Sequence, residues 1–88
     1  MTPSPAWQPP RLTTGRTVAS ITPRQADVLT GLAHGLTNLQ IARRLYLSEQ
    51  TVKTHAKALY RALGARDRAH AVALTVSGQV VVHIKEPS

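Results

Sequence analysis

The stretch Thr37-Asn-Leu-Gln-Ile-Ala-Arg-Arg-Leu-Tyr-Leu-Ser48-Glu-Gln-Thr-Val-Lys-Thr-His-Ala-Lys-Ala-Leu-Tyr-Arg-Ala-Leu-Gly64 decides the fold. It holds two helix starts and one firm stop. Thr37 followed three residues later by Gln40 has the form of a capping box, in which each side chain satisfies the other's free backbone N–H. Ser48 is a second cap, and Gly64 supplies the left-handed residue on which helices commonly end. A short helix is therefore predicted through Leu45, with Leu39, Ile41, Ala42 and Leu45 as its apolar side. The turn Tyr46-Leu47-Ser48 leads to a longer helix from Glu49 to Leu63. A short scaffold helix, a tight turn and a longer helix make a helix-turn-helix.

The longer helix separates two faces. At ~100° per residue, Val52, Ala56, Leu59 and Leu63 gather on one side. Gln50, Lys53, Thr54, Lys57 and Arg61 fall within ~100° of arc on the other. The first set suits a core. The second joins long cations to Gln and Thr, the side chains that bond base edges as well as phosphates, and a major groove is wide enough to take such a helix.

Working outward, Thr22, Pro23 and Gln25 open an earlier helix whose apolar positions are Ala26, Val28, Leu29, Leu32 and Ala33, and Gly35 closes it. Asp67 opens a last one carrying Ala69, Ala71, Val72, Leu74 and Val76 before Gly78. The fold class expected is all-α: a compact four-helix helix-turn-helix domain over residues 21–78. Before it lies a Pro-rich arm, residues 1–20, with Pro3, Pro5, Pro9, Pro10 and the single Trp7, expected to be disordered because it has too little apolar surface to offset its ordering entropy. After it lies a C-terminal tail, residues 79–88, whose Val80, Val81, Val82 and Ile84 are β-prone. That tail could pair with Thr17 to Ile21, pair with its own copy in a dimer, or extend the last helix.

With 88 residues there is room for one small hydrophobic core. The absence of cysteine excludes a disulfide framework and thiolate metal sites, and makes a cytoplasmic address the default expectation. The net charge is +7, and the cations cluster: Arg43, Arg44, Lys53, Lys57, Arg61, Arg66 and Arg68 share a stretch whose acids are Glu49 and Asp67. Such a cluster favours a polyanion, since each phosphate contact releases counterions. Enzymes fit poorly. Ser48, Asp27 and the histidines at 34, 55, 70 and 83 form no metal-binding spacing, nucleophile elbow or glycine-rich phosphate loop, so no metal, cofactor or catalytic residue is expected. No apolar run approaches the ~20 residues of a membrane span, and the cationic helix has no Trp or Phe with which to lie on a membrane surface.

Several segments together resemble the LuxR-type helix-turn-helix, also called the GerE or NarL type. Ile21-Thr-Pro-Arg-Gln-Ala-Asp-Val-Leu29 is similar to its opening motif, Gly35-Leu-Thr-Asn-Leu-Gln-Ile-Ala42 to its scaffold helix, and Leu47-Ser-Glu-Gln-Thr-Val-Lys-Thr-His55 to its turn and reading helix. Leu63-Gly64 with Arg68 and Ala71 completes the likeness. The resemblance implies a four-helix domain that binds double-stranded DNA in the major groove, usually as a dimer on a two-fold-related site, and regulates transcription. It implies that Lys53, Thr54 and Lys57 face base edges or nearby phosphates with Gln50 beside them, and that Asn38, Arg43, Arg44, Thr51, His55 and Arg61 clamp the backbone or position the helix. It also implies a homodimer contact on helix 68–77, with the C-terminal tail as the other candidate surface.

The chain departs from the family pattern at Gln25, where the family has Glu, so that an internal ion pair to an arginine such as Arg68 would become a neutral hydrogen bond. Ala62, Ala65 and His70 stand where Lys, Val or Ile, and Glu are usual. Fewer than two dozen residues precede the motif, so the domain is expected to stand alone, without a receiver or ligand-binding domain. Two alternatives accompany this reading: a protein-binding module that heterodimerises with a full-length regulator, and a sigma-factor-like promoter domain that docks on RNA polymerase.

Overall fold

A computed structural model describes residues 17–86; the Pro-rich segment 1–16, with Trp7, lies outside the described residues. The chain runs β1 (Thr17–Ile21), α1 (Pro23–Ala33), α2 (Asn38–Leu45), α3 (Glu49–Leu63), α4 (Arg68–Val76) and β2 (Val80–Ile84). The four helices begin where the sequence places their caps. The Thr22 and Thr37 hydroxyls accept from the backbone N–H groups of Gln25 and Gln40, whose side-chain oxygens accept in return from the Thr22 and Thr37 N–H groups. Ser48 Oγ accepts from Thr51 N at 3.0 Å, and an Asp67 carboxylate oxygen from His70 N at 2.9 Å. These bonds satisfy donors that a helix start leaves free.

All four helices end at a left-handed residue, Gly78 (φ 81°) being the one that follows α4. Gly35 (φ 78°) follows α1 and Gly64 (φ 73°) follows α3, as their positions in the sequence suggest. At the end of α2 the left-handed residue is Tyr46, with φ 58° and ψ 42°, and the next N–H, that of Leu47, closes back onto the Ala42 carbonyl at 2.9 Å. A side chain in this region costs roughly 1–2 kcal/mol. The tyrosine ring recovers little by packing, because Tyr46 is 94% exposed. Tyr46→Gly is therefore expected to raise stability by about 0.5–1 kcal/mol, the relief of strain being partly offset by the freedom glycine adds to the unfolded chain. Denaturant titration measures it, and a loss of stability would show that the ring makes an unrecognised packing contribution.

The core is a single cluster. Val28, Leu29 and Leu32 of α1, Ile41 and Ala42 of α2, and Val52, Ala56, Leu59 and Leu63 of α3 meet Ala71 of α4, with Ala19, Ile21 and Val80 entering from the strands. No polar or charged residue is fully buried among the described residues. α1 and α2 approach so closely at Gly31 that an added Cβ would lie 2.6 Å from Ile41 Cγ1.

Of the three fates open to the tail, the first occurs: β2 pairs with β1, in parallel, with Thr17 opposite Val80 and Ile21 opposite Ile84. Ala19 and Ile21 from β1 and Val80 from β2 point into the core. The packed unit thus extends past both ends of the 21–78 stretch that the helix pattern marks out, because a short strand carries no helical periodicity to announce it.

Gln25 and Arg68 do not bond each other. Gln25 sits in the first turn of α1, and its side chain folds back to the Thr22 N–H at 2.9 Å. The Arg68 guanidinium donates instead to the Leu36 carbonyl, tying the start of α4 to the loop between α1 and α2.

Candidate nucleic-acid interface

α3 is held by its buried side, where Val52 and Leu59 are fully covered and Ala56 and Leu63 nearly so. That anchoring fixes the rotation of the helix and turns Gln50, Lys53, Thr54, Lys57 and Arg61 outward, all exposed. These five residues line one open groove of about 660 Å³. Among the described residues, β2 contributes none to the lining of this groove and lies against β1.

Asn38, in the first turn of α2, forms part of the groove wall. Its Oδ1 is buried and has no hydrogen-bond partner among the described residues. A buried, unpaired amide oxygen carries a desolvation cost that a ligand or water can relieve. The Thr54 hydroxyl donates to the Gln50 carbonyl at 3.1 Å, which leaves its oxygen free to accept. Glu49 in the first turn of α3 and Arg61 in its last complement the helix dipole.

The remaining residues singled out in the sequence lie outside the groove lining. Arg43 and Arg44 are exposed in the last turn of α2. Thr51 and His55 are half-buried on the flank of α3, and the Thr51 hydroxyl takes a bond from Ser48 Oγ at 2.8 Å. Ser48 and Thr51 thus serve the start of α3 itself.

Two groove residues escaped the sequence reading, Ala58 and Tyr60. They flank the polar ridge on opposite sides, at ~100° per residue, and both are half-buried. Burial pushes the Tyr60 phenol above its ordinary pKa; the nearby Arg68 charge pulls it back and Asp67 pushes it further up. Tyr60 is therefore a neutral hydroxyl at physiological pH. Among the described residues no three metal-ligating side chains come together.

The family description "Bacterial regulatory proteins, luxR family" matches residues 19–75, from within β1 to the last turn of α4. The chain belongs to the luxR family. Its members are DNA-binding transcription regulators built on this helix-turn-helix, and they are not enzymes. The chain is 55% identical over 58 residues to the probable transcriptional regulatory protein SgaR of Hyphomicrobium methylovorum, an alignment covering 66% of this chain and 28% of that protein. It is 44% identical over 61 residues to the nitrate/nitrite response regulator protein NarL of Escherichia coli (strain K12), covering 69% of this chain and 28% of that one. With the nitrate/nitrite response regulator protein NarP of the same strain it shares 52% identity over 54 residues, 61% of this chain and 25% of the relative. The chain thus spans little more than a quarter of the length of the curated relatives it matches.

Proposed function

We propose that this luxR-family domain binds double-stranded DNA sequence-specifically, laying α3 in the major groove, and that it does so as a dimer on a two-fold-related site. The observation that carries the reading is the groove itself. Gln50, Lys53, Thr54, Lys57 and Arg61 line one open channel while the opposite side of the same helix is sealed in the core. A rigid helix so oriented can insert as a unit, and its side chains match the base-edge chemistry of a major groove: Lys for guanine O6 and N7, Gln for adenine, the Thr methyl for thymine.

In this reading Lys53, Thr54 and Lys57, with Gln50 beside them, carry the sequence preference. Arg43, Arg44, Arg61, Thr51 and His55 hold the phosphate backbone or the helix's attitude. Asn38 is a further backbone clamp, because rotating its amide offers an N–H donor to a phosphate oxygen. The place of action proposed is the bacterial cytoplasm; among the described residues no helix is long and apolar enough to cross a membrane.

The experiment is a selection of bound duplexes from random DNA, followed by titration of the selected and scrambled sequences with wild type, Lys53→Ala and Lys57→Ala at two salt concentrations. Each substitution is expected to cost about 1–3 kcal/mol on the selected site, with less effect on scrambled DNA and with no shift in melting temperature, as both lysines are exposed. Equal losses on both DNAs would make the lysines phosphate contacts only. Undiminished affinity would remove α3 from the interface altogether.

A further inference from the structure

The sheet has two strands, and its backbone bonding leaves one edge of β2 open. The Thr17 N–H donates to the Gln79 carbonyl at 3.3 Å, and the Lys85 N–H to the Ile21 carbonyl at 2.7 Å. In a strand the N–H and C=O of one residue point to the same side and the sides alternate. These two bonds therefore set the phase: Gln79, Val81, His83 and Lys85 face β1, and the backbone groups of Val80, Val82 and Ile84 face away from it. Among the described residues none of these outward groups has a backbone or side-chain partner.

Exposed edges are ordinarily guarded by charge, proline or a bulge. β2 has none of these; it reads Val-Val-Val-His-Ile, and the first charge, Lys85, follows its last residue. The side chains show the same incompleteness. Val80 and Val82 pack toward the core, yet Ile84, on the same face, is 50% exposed.

We propose that a second copy of this chain completes the sheet, β2 pairing antiparallel with β2 about a two-fold axis at Val82 to give four continuous strands. The partner is a second copy because the edge is complementary to itself. Antiparallel pairing centred on Val82 sets Val82 opposite its own equivalent and Val80 opposite Ile84 of the second copy, and each outward N–H meets an outward C=O. The pairing also brings half-exposed Ile84 against Val80 on the core face, and it joins no like charges. It gives the two reading helices the two-fold relation that the proposed function calls for. That purpose rests on the DNA-binding reading, whereas the pairing itself does not.

The test is sedimentation of the full chain over a concentration series, paired with titration of a duplex carrying a single half-site. Val82→Pro removes an N–H that β1 does not use, and Ile84→Lys puts a charge at a half-exposed position of the edge; Val76→Lys, at a 74%-exposed residue of α4, is the control and tests the rival contact on helix 68–77 that the family resemblance implies. The wild type is expected to dimerise, both edge variants to weaken the dimer roughly tenfold or more, and the control to leave it intact. Melting temperatures identify any variant that fails to fold, so the folded one of the two edge variants decides the matter. A wild type that stays monomeric throughout, or a dimer lost in the control and kept in the edge variants, overturns the proposal. Half-site affinity should be the same in all variants; loss of it in the wild type would count against the DNA-binding reading and leave the strand pairing untouched.

Discussion

Leu59→Ala is expected to unfold a large share of the molecules and with them to abolish DNA binding. Leu59 is fully buried on the inner side of α3, among the side chains that α1, α2 and β1 bring to it. Truncation leaves a cavity that so small a core has little material to refill, and such changes cost about 2–5 kcal/mol. A chain of this size has roughly 4–13 kcal/mol of stability in all, at ~0.05–0.15 kcal/mol per residue. The loss should appear as a melting transition lowered by many degrees, and DNA affinity should fall on cognate and scrambled duplexes alike because the folded fraction falls. An unchanged melting temperature would mean that α3 is rotated away from the orientation described, and the groove lining would have to be assigned again.

Gly31→Val should be the other severe change, for the opposite reason. An added Cβ would already lie 2.6 Å from Ile41 Cγ1 and 2.9 Å from its Cδ1, and valine carries two methyl groups beyond that point. Ile41 is 2% exposed and has no room to swing aside, so α1 and α2 must part. Overpacking of this kind costs typically 1–3 kcal/mol, occasionally more, and a β-branched side chain recovers part of it by constraining the unfolded chain better than glycine does. Because α2 carries Asn38, DNA affinity should weaken along with thermal stability. A variant that melts like the wild type would show that the two helices meet less closely than the Gly31–Ile41 contact indicates.

What the sequence disclosed and what it withheld divide by range. The caps at Thr22, Thr37, Ser48 and Asp67 and the stop at Gly64 were legible because each is a bond between residues a few positions apart. The two faces of α3 were legible for the same reason, since helical periodicity alone sets Leu59 against Lys57. Tyr46 was not: tyrosine has no preference for the left-handed region, and only the Leu47 closure onto Ala42 requires it there. β2 could be read as a strand from its β-branched residues, but its pairing with β1 depends on two segments from opposite ends of the described chain. Asn38 joins the groove only because α2 lies beside α3, which no single segment encodes, and Ala58 and Tyr60 lie on its flanks, outside the arc that helical periodicity marks.

The pairing of β1 with β2 also bears on the rate at which the molecule assembles. The helices and their caps form from neighbours and can become ordered within the time of local chain motion, whereas the strands must wait until nearly the whole chain has been brought round into a ring. The clasp is then the last part to close and, having only two strands, the first to fray; amide protons of Val81 and His83 should exchange with solvent sooner than those of Val52 and Leu59. A molecule unclasped at its ends would still carry a formed reading helix, so the speed of finding DNA and the speed of finishing the fold need not be the same.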